Sequence, residues 1–118
     1  METNNIIIKQ TLQKGFEDSY LIAEKYYKVI AVINDLNLTT REIQLIAFTA
    51  IRGNITYGNV RLDFCDKFNT TSATIGNMVC KLSKMRVFIK ENGMVKVNPK
   101  IVLDFTQEIK LEINLVHE

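Results

Sequence analysis

The stretch Phe68–Pro99, FNTTSATIGNMVCKLSKMRVFIKENGMVKVNP, decides how this chain is read. Its two threonines offer a hydroxyl cap to a following helix. From Ser72 to Met85 the apolar residues Ile75, Met78, Val79, Leu82 and Met85 recur at i, i+3, i+4, i+7 and i+10, which predicts one buried helical stripe. Ala73, Thr74, Asn77, Lys81 and Lys84 fall on the opposite side. After the helix come two β-rich runs around Asn92-Gly93, the dipeptide suited to a type I′ hairpin, whose two central residues both need positive φ.

Upstream, LTTREI is a helix start: Thr39 can cap the amide of Glu42, Glu42 can reach back to the amide of Thr39, and Leu38 can staple onto Ile43. A helix is expected from Thr40 to Arg52, with Ile43, Ile46, Ala47, Ala50 and Ile51 inward and Gly53 as its left-handed cap. A brief extended piece, Ile55 to Tyr57, then leads to a short helix over Val60–Lys67. Asn59 is its expected cap, and Leu62, Cys65 and Phe68 its expected inner face.

Towards the N-terminus, the stripe Phe16, Tyr20, Ala23, Tyr27, Ile30 and Ile33 predicts the longest helix, about Phe16–Leu36. Val29 and Val32 widen its apolar face, so its C-terminal end is expected to be buried on more than one side. Ile6, Ile7 and Ile8 favour a strand, and Ile109, Leu111, Ile113 and Leu115 alternate with polar residues as a one-faced strand does. An isolated alternating strand must pair, either with the other end of the chain or with a second copy. Between them Ile101–Phe105 is short and reads as either helix or strand.

Composition bounds the chemistry. With 118 residues the chain holds one domain and one core. The longest apolar run, Val29–Ile33, is far below the roughly 18 to 20 residues that span a bilayer, and the N-terminus lacks the pattern of a secretory signal, so a soluble, cytoplasmic protein without membrane contact is expected. One histidine, His117, and two cysteines at unrelated spacing, Cys65 and Cys80, assemble no zinc site and no nucleophilic triad. The two thiols are expected to be free and buried or half-buried on helices. Phosphate-binding glycine loops are absent too, so neither an enzyme nor a cofactor is expected. Charge is unevenly placed: residues 70–100 hold six basic groups and one acidic one, net +5, whereas residues 101–118 are net −3.

The order of helix, extended piece, short helix, turn, helix and hairpin over Leu38–Pro99 resembles the winged helix-turn-helix family. TTREIQLIAFTAIRG stands as first helix, NVRLDFCDKF as second, TSATIGNMVCKLSKM as third and RVFIKENGMVKV as wing. VKVNPKIV is also similar to plasmid replication proteins of this class, in which an asparagine-proline pair closes the wing. One departure is plain: the family often has glycine between third helix and wing, where this chain has Met85-Arg86.

The resemblance implies an α+β, mainly α fold: a winged helix-turn-helix core at 37–100, an N-terminal strand and long helix at 1–36, and a C-terminal extension at 101–118 ending in a strand. It implies double-stranded DNA as partner, with the third helix in the major groove. Ser72, Thr74 and Asn77 would meet bases or phosphates, Lys81, Lys84, Arg86, Lys90 and Lys96 would meet phosphates, and Gly76 would permit close approach. The expected function is a prokaryotic or phage-type regulator or replication accessory, acting as a homodimer or larger assembly. The alternative, from a different class, is a protein-protein assembly or adaptor module, for example in a phage particle, that uses the terminal strands for oligomer contacts. Asp63 and Asp66 on the second helix argue mildly against DNA, and Tyr20, Tyr26 and Tyr27 read as core or interface residues and not as stacking platforms for bases.

Overall fold

The computed structural model describes residues 4–12, 19–102, 105 and 109–117. Among the described residues, four α-helices and two small antiparallel sheets make a mainly helical α+β protein: β1 (Asn4–Leu12), α1 (Ser19–Ile33), α2 (Thr40–Arg52), α3 (Gly58–Phe68), α4 (Ser72–Lys84), β2 (Phe88–Glu91), β3 (Met94–Val97) and β4 (Ile109–His117). A one-turn 3-10 helix, Pro99–Ile101, follows β3. Phe16 lies outside the described residues, and so do residues 103 and 104 of the ambiguous piece. None of the described helices is long and apolar enough to cross a membrane.

The central element is α2. Its start is the expected capping box: the Glu42 amide donates to Thr39 Oγ1 at 3.1 Å and the Thr39 amide to Glu42 Oε1 at 2.8 Å. Its end is Gly53 at φ 91°, whose amide reaches Thr49 O. Between these ends α2 is buried on nearly every side, because α1, α3 and β3 all pack on it. The expected one-sided stripe therefore needs correction: Leu45 and Phe48 are buried as well, whereas Ile51, at the open C-terminal end, is 40% exposed.

Three other expectations shift for local reasons. Helix α3 starts at Gly58 with Tyr57 as a cap lacking a side-chain bond, so Asn59 sits in the first turn, exposed, and caps nothing. Of the expected inner face, Cys65 and Phe68 pack half-buried against the core, but the fully buried residues are Val60 and Phe64. Leu62 lies two residues, about 200°, from Val60 and is 61% exposed. At the end of α1, Val32 is 80% and Ile33 55% exposed, so the expected burial on several sides is not found there. Cys80 is exposed and Cys65 half-buried, and both thiols are free.

An aromatic cluster joins the helices. Phe64 stacks near Phe68 and edge-on to Phe48, with ring centroids 4.6 and 5.4 Å apart. The Lys67 ammonium sits 3.8 Å from the Tyr20 ring centre and ties α3 to α1. Tyr27 is fully buried and donates its hydroxyl to Ile101 O at 2.7 Å. Burial, reinforced by Tyr26 beside it, holds that phenol protonated far above its ordinary range, so it remains a donor at any working pH.

The hairpin forms as the sequence implies, with Asn92 at φ 53° and Gly93 at φ 77°. It is fastened to α2 through the loop that follows that helix: the Ile55 amide donates to Val95 O at 2.9 Å and the Val95 amide to Thr56 Oγ1 at 2.6 Å. One residue thus acts as a rudimentary third strand. The terminal strands β1 and β4 pair with each other, antiparallel over nine residues, in a sheet separate from the hairpin.

Candidate nucleic-acid interface

Helix α4 is seated by Ile75, Met78 and Leu82, all buried, with Val79 and Met85 half-buried beside them. Thr71 caps it: its hydroxyl accepts the Thr74 amide at 3.3 Å and lies 3.0 Å from the Thr74 hydroxyl. The Thr74 hydroxyl is thus already engaged by the cap. Spacing at i, i+4, i+7 and i+11 puts Ala73, Asn77, Cys80 and Lys84 along the middle of the outer face, and all four are exposed. Ser72 is exposed at the start of the helix. A Cβ added at Gly76 would meet nothing within 4 Å, so no part of the fold requires glycine there for close packing.

The helix ends in a Schellman motif. Arg86 N–H donates to Ser83 O and Val87 N–H to Leu82 O, at 3.1 and 3.0 Å, and Arg86 itself takes φ 61°. Arginine therefore occupies the left-handed position that glycine fills most cheaply. Asn98 holds this corner: its side-chain amide donates to Arg86 O at 3.1 Å, and its carbonyl oxygen accepts the Lys100 amide at 3.1 Å. Its backbone amide donates to Val87 O. The asparagine before Pro99 thus locks the base of the hairpin onto the end of α4. Arg86→Gly should relieve about 1–2 kcal/mol of left-handed strain and lose about 0.4–1 kcal/mol to chain entropy. A net gain of roughly 0.5–1 kcal/mol is expected in chemical denaturation, and a loss of stability would refute the strain assignment.

The cations divide into two sets. Lys81, half-exposed, donates from Nζ to Glu42 Oε1 at 2.9 Å and to Asn37 O at 3.3 Å, so it bridges α4 to the start of α2. Lys96 pairs with Glu91 across the hairpin at 3.2 Å. Lys84, Arg86, Lys90 and Lys100 are exposed and have no acidic partner among the described residues. Arg86 and Lys90 flank a shallow groove between the end of α4 and the hairpin, floored by Phe88 and Ile89. Lys100 was missed by sequence reasoning because it follows Pro99, outside any periodic element; only its place in the +5 segment marks it. Cys80, expected to be buried or half-buried, is exposed, as its spacing from Asn77 and Lys84 on one face requires.

Elsewhere the charge is balanced. Asp63 on α3 is paired with Arg52 at 2.6 Å, which removes half of the acidic objection raised by that helix. Tyr20 and Tyr27 are buried and Tyr26 half-buried against Phe105, so all three serve the core. Among the described residues no cluster of histidine, cysteine or carboxylate side chains could hold a metal. No family model matches the chain, and neither the curated proteins nor the solved structures contain a match to it.

Proposed function

We propose that residues 37–100 form a winged helix-turn-helix core, and that the protein is a small non-enzymatic DNA-binding protein, a prokaryotic or phage-type regulator or replication accessory. Helix α4 lies in the major groove. The hairpin β2–β3 rests on the flanking backbone as a wing. One observation carries this reading: α4 bears no acidic residue, and Lys84, Arg86, Lys90 and Lys100, exposed and without acidic partners among the described residues, follow from its C-terminal half into the hairpin and the turn beyond, past the exposed Asn77. Lys84, Arg86, Lys90 and Lys100 meet phosphates, Asn77 reads a base edge, with adenine the best partner, and Ser72 supports it at the helix start. Lys81, Lys96 and Thr74 are held by Glu42, Glu91 and Thr71, and act by fixing the surface.

Cys80 provides the test. Its exposed thiol lies one turn from Asn77 and Lys84, so a duplex on α4 must cover it. Alkylation mapped by mass spectrometry should be slowed at Cys80 by a saturating mixed-sequence duplex and unchanged at Cys65. Duplex binding that leaves Cys80 as reactive as before moves the interface off α4. Absence of binding at low salt sinks the DNA reading. A protein-protein assembly module would then be the better reading, favoured by the ribbon of β1 and β4.

A further inference from the structure

We infer that β1 and β4 form a self-association surface, on which two copies of this chain pack ribbon face to ribbon face. In an antiparallel pair, directly opposed residues share a face. The register opposes Asn4 to His117, Ile6 to Leu115, Ile8 to Ile113, Gln10 to Leu111 and Leu12 to Ile109 on one face, and Asn5 to Val116, Ile7 to Asn114, Lys9 to Glu112 and Thr11 to Lys110 on the other. The first face is apolar at seven of its ten positions and carries no lysine, arginine, aspartate or glutamate; Asn4 and His117 lie together at its end. Lys9, Lys110 and Glu112 all fall on the second.

A two-stranded ribbon is marginal in water unless its apolar face is covered. Among the described residues, the extensive packing of β1 and β4 is with each other, and no helix or wing strand makes a comparable contact with either. The radius of gyration, 15.9 Å, exceeds the roughly 13.5 Å of a compact chain of this length.

Three arguments select a second copy as the cover. An uncharged apolar face is complementary to itself under a two-fold axis, with no like charges brought together. A charged partner would leave its own charges unpaired against it. The size is also adequate: nine residues at about 3.4 Å by two strands make a face of roughly 300 Å² in projection, and two such faces bury on the order of 1,000 Å² of accessible surface, the low end for a specific interface. The expected dissociation constant is therefore micromolar. The inference stands apart from the DNA reading and survives if that reading fails.

Sedimentation equilibrium of the full chain at rising concentration should show a shift from 13.6 kDa to twice that mass. Isotope-filtered NOEs in a mixed-labelled sample should connect Ile8 and Ile113 methyls of different copies. The pair Ile8→Lys/Ile113→Glu keeps opposite charges facing each other across the ribbon but buries them in the dimer, and should weaken association on the order of a hundredfold. The pair Ile7→Lys/Asn114→Glu, on the other face, should leave association unchanged. A wild-type chain that stays monomeric, a dimer without those intermolecular NOEs, or a dimer indifferent to Ile8→Lys/Ile113→Glu each overturns the inference.

Discussion

Replacing Lys84 and Lys90 together by alanine is expected to weaken binding to any duplex by some tens of fold near 0.1 M salt, and to flatten the salt dependence by close to two. The reasoning is counterion release. Each phosphate neutralised contributes about 0.9 to the slope of log affinity against log salt, so four unpartnered cations predict a slope near −3.6 per copy. Removing two should leave about −1.8. Both side chains are exposed and free of acidic partners among the described residues, so the fold should change by less than about 0.5 kcal/mol. Asn77→Ala supplies the contrast: it removes no charge, so the slope should stay at its wild-type value while discrimination among sequences falls by about 1–3 kcal/mol. Fluorescence anisotropy at several salt concentrations reads both quantities. An unchanged slope in Lys84→Ala/Lys90→Ala would show that α4 and the hairpin do not carry the phosphates.

What could be read from the sequence was what is decided within a few residues. Thr39 and Glu42 exchange bonds three positions apart, Asn92-Gly93 needs only its own dihedral angles, and the α4 stripe repeats inside one element, so each was legible. The burial of Leu45 and Phe48 was not, because it depends on α1, α3 and β3 converging on α2. Nor was the buried face of α3, where packing against α2 and α4 covers Val60 and Phe64 and leaves Leu62 outward. The alternation of Ile109 to Leu115 announced a strand. That its partner is Asn4–Leu12, a hundred residues away, is a fact of topology. On the candidate site the same division holds: helix periodicity placed Asn77 and Lys84 outside, whereas the use of each lysine depended on carboxylates elsewhere in the fold.

Lys81 tests that last point most sharply. On periodicity it is one more lysine on the outer side of α4, yet its ammonium meets a carboxylate 39 residues upstream, and that Glu42 side chain is only 6% exposed. Burial pushes the Glu42 carboxyl up, but the Thr39 amide and the Lys81 ammonium outweigh it, so the group is held below its ordinary value. A depressed carboxyl contributes stability that is present above its unfolded pKa and lost as pH falls through the folded one. The advantage of wild type over Glu42→Gln should therefore be constant above about pH 5 and shrink in more acid solution. Lys81→Ala leaves a nearly buried carboxylate without its cation and should cost about 1–2 kcal/mol in chemical denaturation at neutral pH, less than a fully buried pair because Lys81 is itself half-exposed. In a double-mutant cycle with Glu42→Gln most of that cost should vanish. DNA binding separates the two possible roles of this lysine. As a bridge, Lys81→Ala leaves the salt slope where it was; as a phosphate ligand, it would lower the slope by nearly one and barely touch stability. A variant with wild-type stability and a reduced slope would return Lys81 to the DNA surface and make its contact with Glu42 incidental.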